Sequence, residues 1–142
     1  MLNRTVVIDT NVLVSAGIRA GSNPGKIVLA VLQAEIVPVV CPGILEEYVG
    51  VFRRAKFARF QFPPQWFALL LKRSVHLQVD PRIVAHRGVP DPDDLLFLEV
   101  ARLQGACLIT GNVRDFPTAI RRGVSVSTPA NYLLWLDAAR GS

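Results

Sequence analysis

Apolar residues along the chain switch between two periods. Short continuous apolar runs stand at residues 5–8, 36–40 and 106–110, and between them apolar positions recur every three or four residues. Unbroken β-branched runs of this length are the mark of strands buried on both faces, whereas the three-to-four spacing marks helices. The spacing predicts a helix over 24–34, opened by Pro24 with Ser22 or Asn23 as its cap. A second starts at Pro42 and carries Ile44, Leu45, Tyr48, Val49 and Phe52 on one stripe. A third covers 64–74, and a fourth runs from Asp91-Pro92-Asp93-Asp94 through Gln104, with Gly105 as its C-cap. The last, over 129–139, has Tyr132, Leu133, Trp135 and Leu136 as its apolar stripe. Further strands are expected at 75–79, ending at Asp80-Pro81, and at 124–126. Pro38 interrupts the second strand, which fits an edge or a bulge because proline donates no ladder hydrogen bond.

Strand and helix thus alternate from end to end, which argues for one α/β domain over residues 1–142. The expected architecture is a three-layer α/β/α fold around a central, mainly parallel sheet of four to five strands. A hydrophobic content of 51% against 19% charged residues excludes a disordered chain and leaves ample material for a core. No run approaches the ~20 apolar residues of a membrane span. Strand-like sequence begins almost at Met1, without a signal-peptide pattern, so a cytoplasmic location is expected. Cys41 and Cys107 lie singly in apolar surroundings and read as small core residues. Two isolated histidines, His76 and His86, do not suggest a His-based metal site. Sixteen basic and eleven acidic residues give a net charge of +5, which suits a polyanionic partner.

The chemistry gathers at the carboxyl ends of the strands, the edge at which open α/β sheets bind ligands. The first strand, Val6-Val7-Ile8, ends on Asp9, and a buried strand has no packing reason to finish on a carboxylate. Asp9 either caps the following short helix or belongs to a site. Glu47 lies one and a half turns into the helix after the second strand. Asp94 lies in the first turn of the helix after Gly88-Val89-Pro90, and Asn112 and Asp115 follow the fourth strand. Singly, each has an ordinary reading as a solvated helix residue, a cap or a turn residue. Jointly, carboxylates converging on one cleft repel one another unless a divalent cation is present. An all-oxygen donor set suits Mg²⁺ or Mn²⁺. Such an ion beside a phosphate lowers the pKa of an attacking water and offsets developing charge, as in nucleases and phosphatases.

The motifs resemble those of PIN-domain nucleases, in particular the VapC-like toxins of toxin–antitoxin systems. They are Val7-Ile8-Asp9-Thr10-Asn11-Val12, Ile44-Leu45-Glu46-Glu47-Tyr48, Asp91-Pro92-Asp93-Asp94 with Phe97-Leu98-Glu99-Val100-Ala101 behind it, and Leu108-Ile109-Thr110-Gly111-Asn112 with Arg114-Asp115-Phe116-Pro117. By position, the resemblance implies that Asp9, Glu47 and Asp94 bind the metal. Glu47 is preferred to Glu46, and Asp94 to Asp91 and Asp93. At the fourth place many relatives carry an acid where this chain has Asn112, so either Asp115 supplies the fourth carboxylate or the site works with three; Asp115 is favoured. Thr10 and Asn11 are expected to hydrogen-bond the carboxylates, with Asn112 beside the site. For substrate, Arg114 is best placed, followed by Arg53 and Lys56. Those two belong to a basic stretch that also holds Arg54 and Arg59, interleaved with Phe57 and Phe60; it reads either as a backbone clamp with stacking platforms or as a solvated helix end whose aromatics lie in the core or against a partner.

The resemblance implies a PIN-like fold and a Mg²⁺- or Mn²⁺-dependent endoribonuclease acting as a toxin. RNA is its substrate, a homodimer its assembly and a cognate antitoxin its partner. Asn112 keeps a second reading open, a degraded PIN-like domain that binds RNA or protein without cleaving. A phosphatase using Asp9 as covalent nucleophile lacks the second Asp it needs, because position 11 is Asn.

Overall fold

The computed structural model describes residues 1–54, 65–83 and 92–141. Five strands, β1 (Thr5–Ile8), β2 (Val37–Val40), β3 (Val75–His76), β4 (Cys107–Ile109) and β5 (Val126–Ser127), form one sheet in the order β3-β2-β1-β4-β5. Every neighbouring pair is parallel. Around it lie α1 (Thr10–Ile18), α2 (Asn23–Leu32), α3 (Pro42–Arg54), α4 (Trp66–Lys72), α5 (Pro92–Gln104) and α6 (Pro129–Arg140). This is the expected three-layer α/β arrangement. β1 is central and its Val6, Val7 and Ile8 are all buried, which is why the run is continuous rather than alternating.

Helix α1 packs on α2, and α2 also meets α4 and α6; α3 packs on α5, which lies against β1, β2 and β4. Ser22, not Asn23, caps α2, its hydroxyl accepting from the Gly25 amide at 3.2 Å. Gly105 takes a left-handed φ of 62° after α5, as a C-cap glycine does. Trp66 and Leu70 of α4 are buried, with Phe52 and Phe67 edge-on to Trp66, while Leu69 stays exposed.

Three expectations change. Helix α1 is a nine-residue element whose sole sign in the sequence was the cap-like Asp9; it buries Val12, Leu13 and Ala16. The third strand covers 75–76 rather than 75–79, because an edge position leaves it little to bury: Val75 and Val79 are 44% and 75% exposed. The fifth is Val126–Ser127 rather than 124–126, Val124 being turned into the core by a bond from its amide to the Arg121 carbonyl. Pro38 is tolerated in β2 although that strand lies between two others. The Val37 amide points to β1, so position 38 faces the other side, where β3 pairs only with Val39 and Val40. Both cysteines are buried and free, and burial pushes the Cys41 thiol up to about 11, far from a nucleophilic thiolate.

Candidate active site

The register of the sheet builds the site. Ile8 pairs with Ile109, so the residues that follow them, Asp9 and Thr110, emerge side by side at the carboxyl edge. The Asp9 amide continues the ladder to the Ile109 carbonyl at 2.9 Å. Between β1 and β4 the strand order reverses direction, and in doubly wound sheets that switch point opens the ligand crevice.

Asp9 stands at the N-cap of α1, yet its side chain makes no capping hydrogen bond. Its Oδ2 instead accepts from the Thr110 hydroxyl at 2.8 Å and from Asn11 Nδ2 at 3.2 Å. Each of these donors is itself fixed. Asn11 Oδ1 accepts from the Gly111 amide at 3.0 Å, and Thr110 Oγ1 accepts from the Asn112 amide at 3.0 Å. Gly111 has a packing role, since a Cβ there would come within 3.3 Å of Asn11 Oδ1. The two loops that leave β1 and β4 are thereby stitched together around one carboxylate that is 8% exposed. The contest at Asp9 between helix cap and site residue therefore goes against the cap.

Tyr48 positions the second acid. Its ring is buried against Phe97 and Phe67, and its hydroxyl donates to the Ile8 carbonyl, pinning α3 to the end of β1. Burial, reinforced by the Asp9 charge, pushes the Tyr48 phenol well above its ordinary value, so it stays a donor. Glu47, next to Tyr48, thereby reaches the cleft, and so does Asp94, one turn before the buried Phe97 on α5. The cleft of about 480 Å³ is lined by Asp9, Glu47, Asp93, Asp94 and Asp115, together with Asn11 and Ser15. Among the described residues, neither lysine nor arginine lines it. No three of these acids already stand as a ready-made metal cage among the described residues.

The sequence thus named four acids, Asp9, Glu47, Asp94 and Asp115, that line one cleft. It passed over Asp93, which lines it too, and Thr110, whose hydroxyl donates to Asp9. The signal for Thr110 was available in a second apolar strand ending on a polar residue, but its meaning depends on β4 pairing with β1. Three expectations differ. Thr10 does not hold a carboxylate: its buried hydroxyl has no hydrogen-bond partner among the described residues, and Thr110 does that work instead. Asn112 is exposed and does not line the cleft, whereas Asp115, lifted by the single 3₁₀ turn Val113–Asp115, does. Arg114 and Arg53 are exposed and lie outside the cleft lining, and Lys56, Arg59, Phe57, Phe60 and Asp91 fall outside the described residues.

No described helix is long and apolar enough to cross a membrane. A family model described as PIN domain matches residues 5–114. The match takes in Asp9, Glu47 and Asp94 and stops one residue short of Asp115. The chain is also similar to an uncharacterized protein of Methanocaldococcus jannaschii, 32% identical over 109 residues that span 75% of this chain and 70% of that protein. With the model matching well over half of its length, the chain belongs to the PIN domain family, whose members are generally nucleases.

Proposed function

We propose that this chain is a divalent-metal-dependent endoribonuclease and the toxin component of a type II toxin–antitoxin pair. The observation that carries the catalytic part is the convergence of five carboxylates, from four separate segments, on one cleft at the switch point of the sheet. Carboxylates gathered on one cleft favour a cation, and an all-oxygen set suits Mg²⁺ or Mn²⁺, which keeps several of its waters. Asp9, Glu47, Asp94 and Asp115 would hold the metal. When bound, it supplies Lewis acidity to the phosphodiester and acidity to an attacking water. Cleavage would leave 5′-phosphate and 3′-hydroxyl ends.

The protein's own part is positional. Thr110 and Asn11 both donate to Oδ2 of Asp9, which fixes the rotation of that carboxylate before any ligand arrives. Tyr48 and Phe97 fix α3 and α5, and with them Glu47 and Asp94. Arg114, exposed on the turn that carries Asp115, would meet the phosphate backbone of the substrate.

The test uses purified protein, an RNA oligonucleotide and Mn²⁺. Cleavage is expected, and Asp9→Asn should lower it by roughly 100-fold or more. Equal cleavage by the variant refutes this assignment of the site. Mn²⁺ should also raise the melting temperature, by an amount corresponding to about 2.7 kcal/mol at a hundredfold excess over Kd. An unresponsive melting temperature would instead favour a PIN-like module that does not use a metal. The toxin role and the homodimer rest on the resemblance. A neighbouring reading frame encoding a small DNA-binding protein that copurifies with this chain supports the first, and sedimentation of the purified chain tests the second.

A further inference from the structure

A second depression lies beside the acidic cleft and is its electrostatic opposite. It has a volume of about 310 Å³, a floor of Ile83, Leu95, Leu98 and Ile120, and a rim of Arg82, Arg102, Arg121 and Arg122. Among the described lining residues one acid, Glu99, faces these four guanidinium groups; it is paired with Arg102 and lies 3.8 Å from Arg122. Arg121 spends its Nε on the Phe116 carbonyl, and Arg82 makes no ion pair among the described residues. Among the described lining residues, positive charge therefore exceeds negative by three around an apolar floor.

The same two elements build both depressions. On α5, Asp94 and Phe97 line the cleft while Leu95 and Leu98 line the pocket. After β4, Asp115 lines the cleft while Ile120 to Arg122 line the pocket. The two are thus separated by about the width of one helix, ~10–12 Å.

The backbone at the rim adds an independent observation. Arg122 has φ +49° and is followed by Gly123 at φ +87°. Left-handed backbone is ordinary for glycine but costs free energy for a long side chain, and residues held in this way cluster at binding sites. Glycine at 122 would be the relaxed choice, yet the position carries a rim guanidinium.

We propose that this pocket binds one nucleotide of a single-stranded RNA whose scissile bond lies in the acidic cleft, with its base on the apolar floor and its flanking phosphates on the arginine rim. The inference rests on the endoribonuclease reading above and adds to it where the rest of the strand goes. Planar bases settle on apolar and guanidinium surfaces, and arginine pairs with phosphate in a two-pronged fashion. A compact pocket adjoining the cleft fits a strand passing from one to the other better than it fits a separate acidic protein, which would need a longer groove.

The test measures binding of a labelled single-stranded RNA oligonucleotide, by fluorescence anisotropy without metal, to full-length protein carrying Asp9→Asn so that nothing is cut. Adding Arg82→Glu should weaken binding about five- to tenfold and lower the slope of log Kd against log salt by about 0.7 or more. Adding Arg122→Gly should raise the melting temperature, by relieving the left-handed backbone, and still weaken binding; a merely structural arginine would not show that pair of effects. Unchanged affinity and salt slope in both variants overturn the proposal, as does displacement of the RNA by poly-glutamate at equal charge concentration. Cleavage by the chain with Asp9 restored is measured separately. Cleavage together with unchanged binding in the arginine variants removes the pocket and leaves the nuclease reading, whereas lost binding in those variants without any cleavage removes the nuclease reading and leaves the pocket.

Discussion

Replacing Thr110 by Val removes one hydroxyl and keeps the shape of the side chain, at a position with no exposure at all. The lost group donates to Asp9 Oδ2 at 2.8 Å and accepts from the Asn112 amide at 3.0 Å. Asn112 is exposed, so water can take over its amide and that bond contributes little to the cost. Asp9 is 8% exposed, and for it water is a poor substitute. A hydrogen bond to a charged group contributes about 1.5–3 kcal/mol. In a domain of this size that corresponds to a fall in melting temperature of roughly 5–12 °C. Thr110→Ser keeps the hydroxyl and should recover most of the loss. The decisive assay is a double-mutant cycle by thermal or urea unfolding. With Asp9→Asn in place the acceptor is neutral and the same bond contributes only about 0.5–1.5 kcal/mol, so a coupling near 1 kcal/mol is expected. A cost below about 0.5 kcal/mol for Thr110→Val, or an equal cost in both backgrounds, refutes the argument that Thr110 serves the Asp9 carboxylate.

Three further outcomes follow from the geometry. Asp115→Asn should depress Mn²⁺-dependent RNA cleavage and shrink the thermal shift with Mn²⁺, while Asn112→Ala, at an exposed position outside the cleft, should leave both nearly intact; the reverse order would give the fourth place to Asn112. Tyr48→Phe strands the Ile8 carbonyl in the core and should cost about 1–3 kcal/mol in urea unfolding with little change in secondary structure. The Arg140 guanidinium, forked onto Glu35, holds that carboxyl below its usual range. A folded-state value below the unfolded one means the pair stabilises above the unfolded carboxylate range and is lost as pH falls through the lowered folded value. Glu35→Gln should therefore be less stable than the unsubstituted chain at neutral pH and match it in acid, read from melting temperatures across pH 2–7.

The elements most legible in the sequence are those whose burial is symmetrical. β1 and β4 are covered on both faces, so their apolar runs are unbroken and their ends are marked by Asp9 and Thr110. β3 was overextended because an exposed two-residue edge leaves no pattern to count, and Val75, Leu77 and Val79 imitate a longer strand. The acids of the cleft were legible because each sits at a fixed step after a strand or into a helix, and parallel topology carries all those steps to one edge. Thr110 was not, because its role comes from a register between segments a hundred positions apart, which no local pattern records. Thr10 shows the complementary limit: it is adjacent to Asp9 in sequence, but its buried hydroxyl at the start of α1 has no hydrogen-bond partner among the described residues.

The hydrogen bond from Thr110 to Asp9 spans 101 residues of chain. At about 5–20 residues per second of synthesis, the donor emerges roughly 5–20 s after the acceptor. For that interval a nascent chain carries Asp9 without a complete β4 beside it, without Asp115, and without the register that brings the acids to one edge. Closing so distant a contact is also slow in its own right. The chemistry of the cleft is thereby deferred until β4 and the turn after it have been made, and a truncated product ending before residue 110 inherits the opening motif without the assembled site.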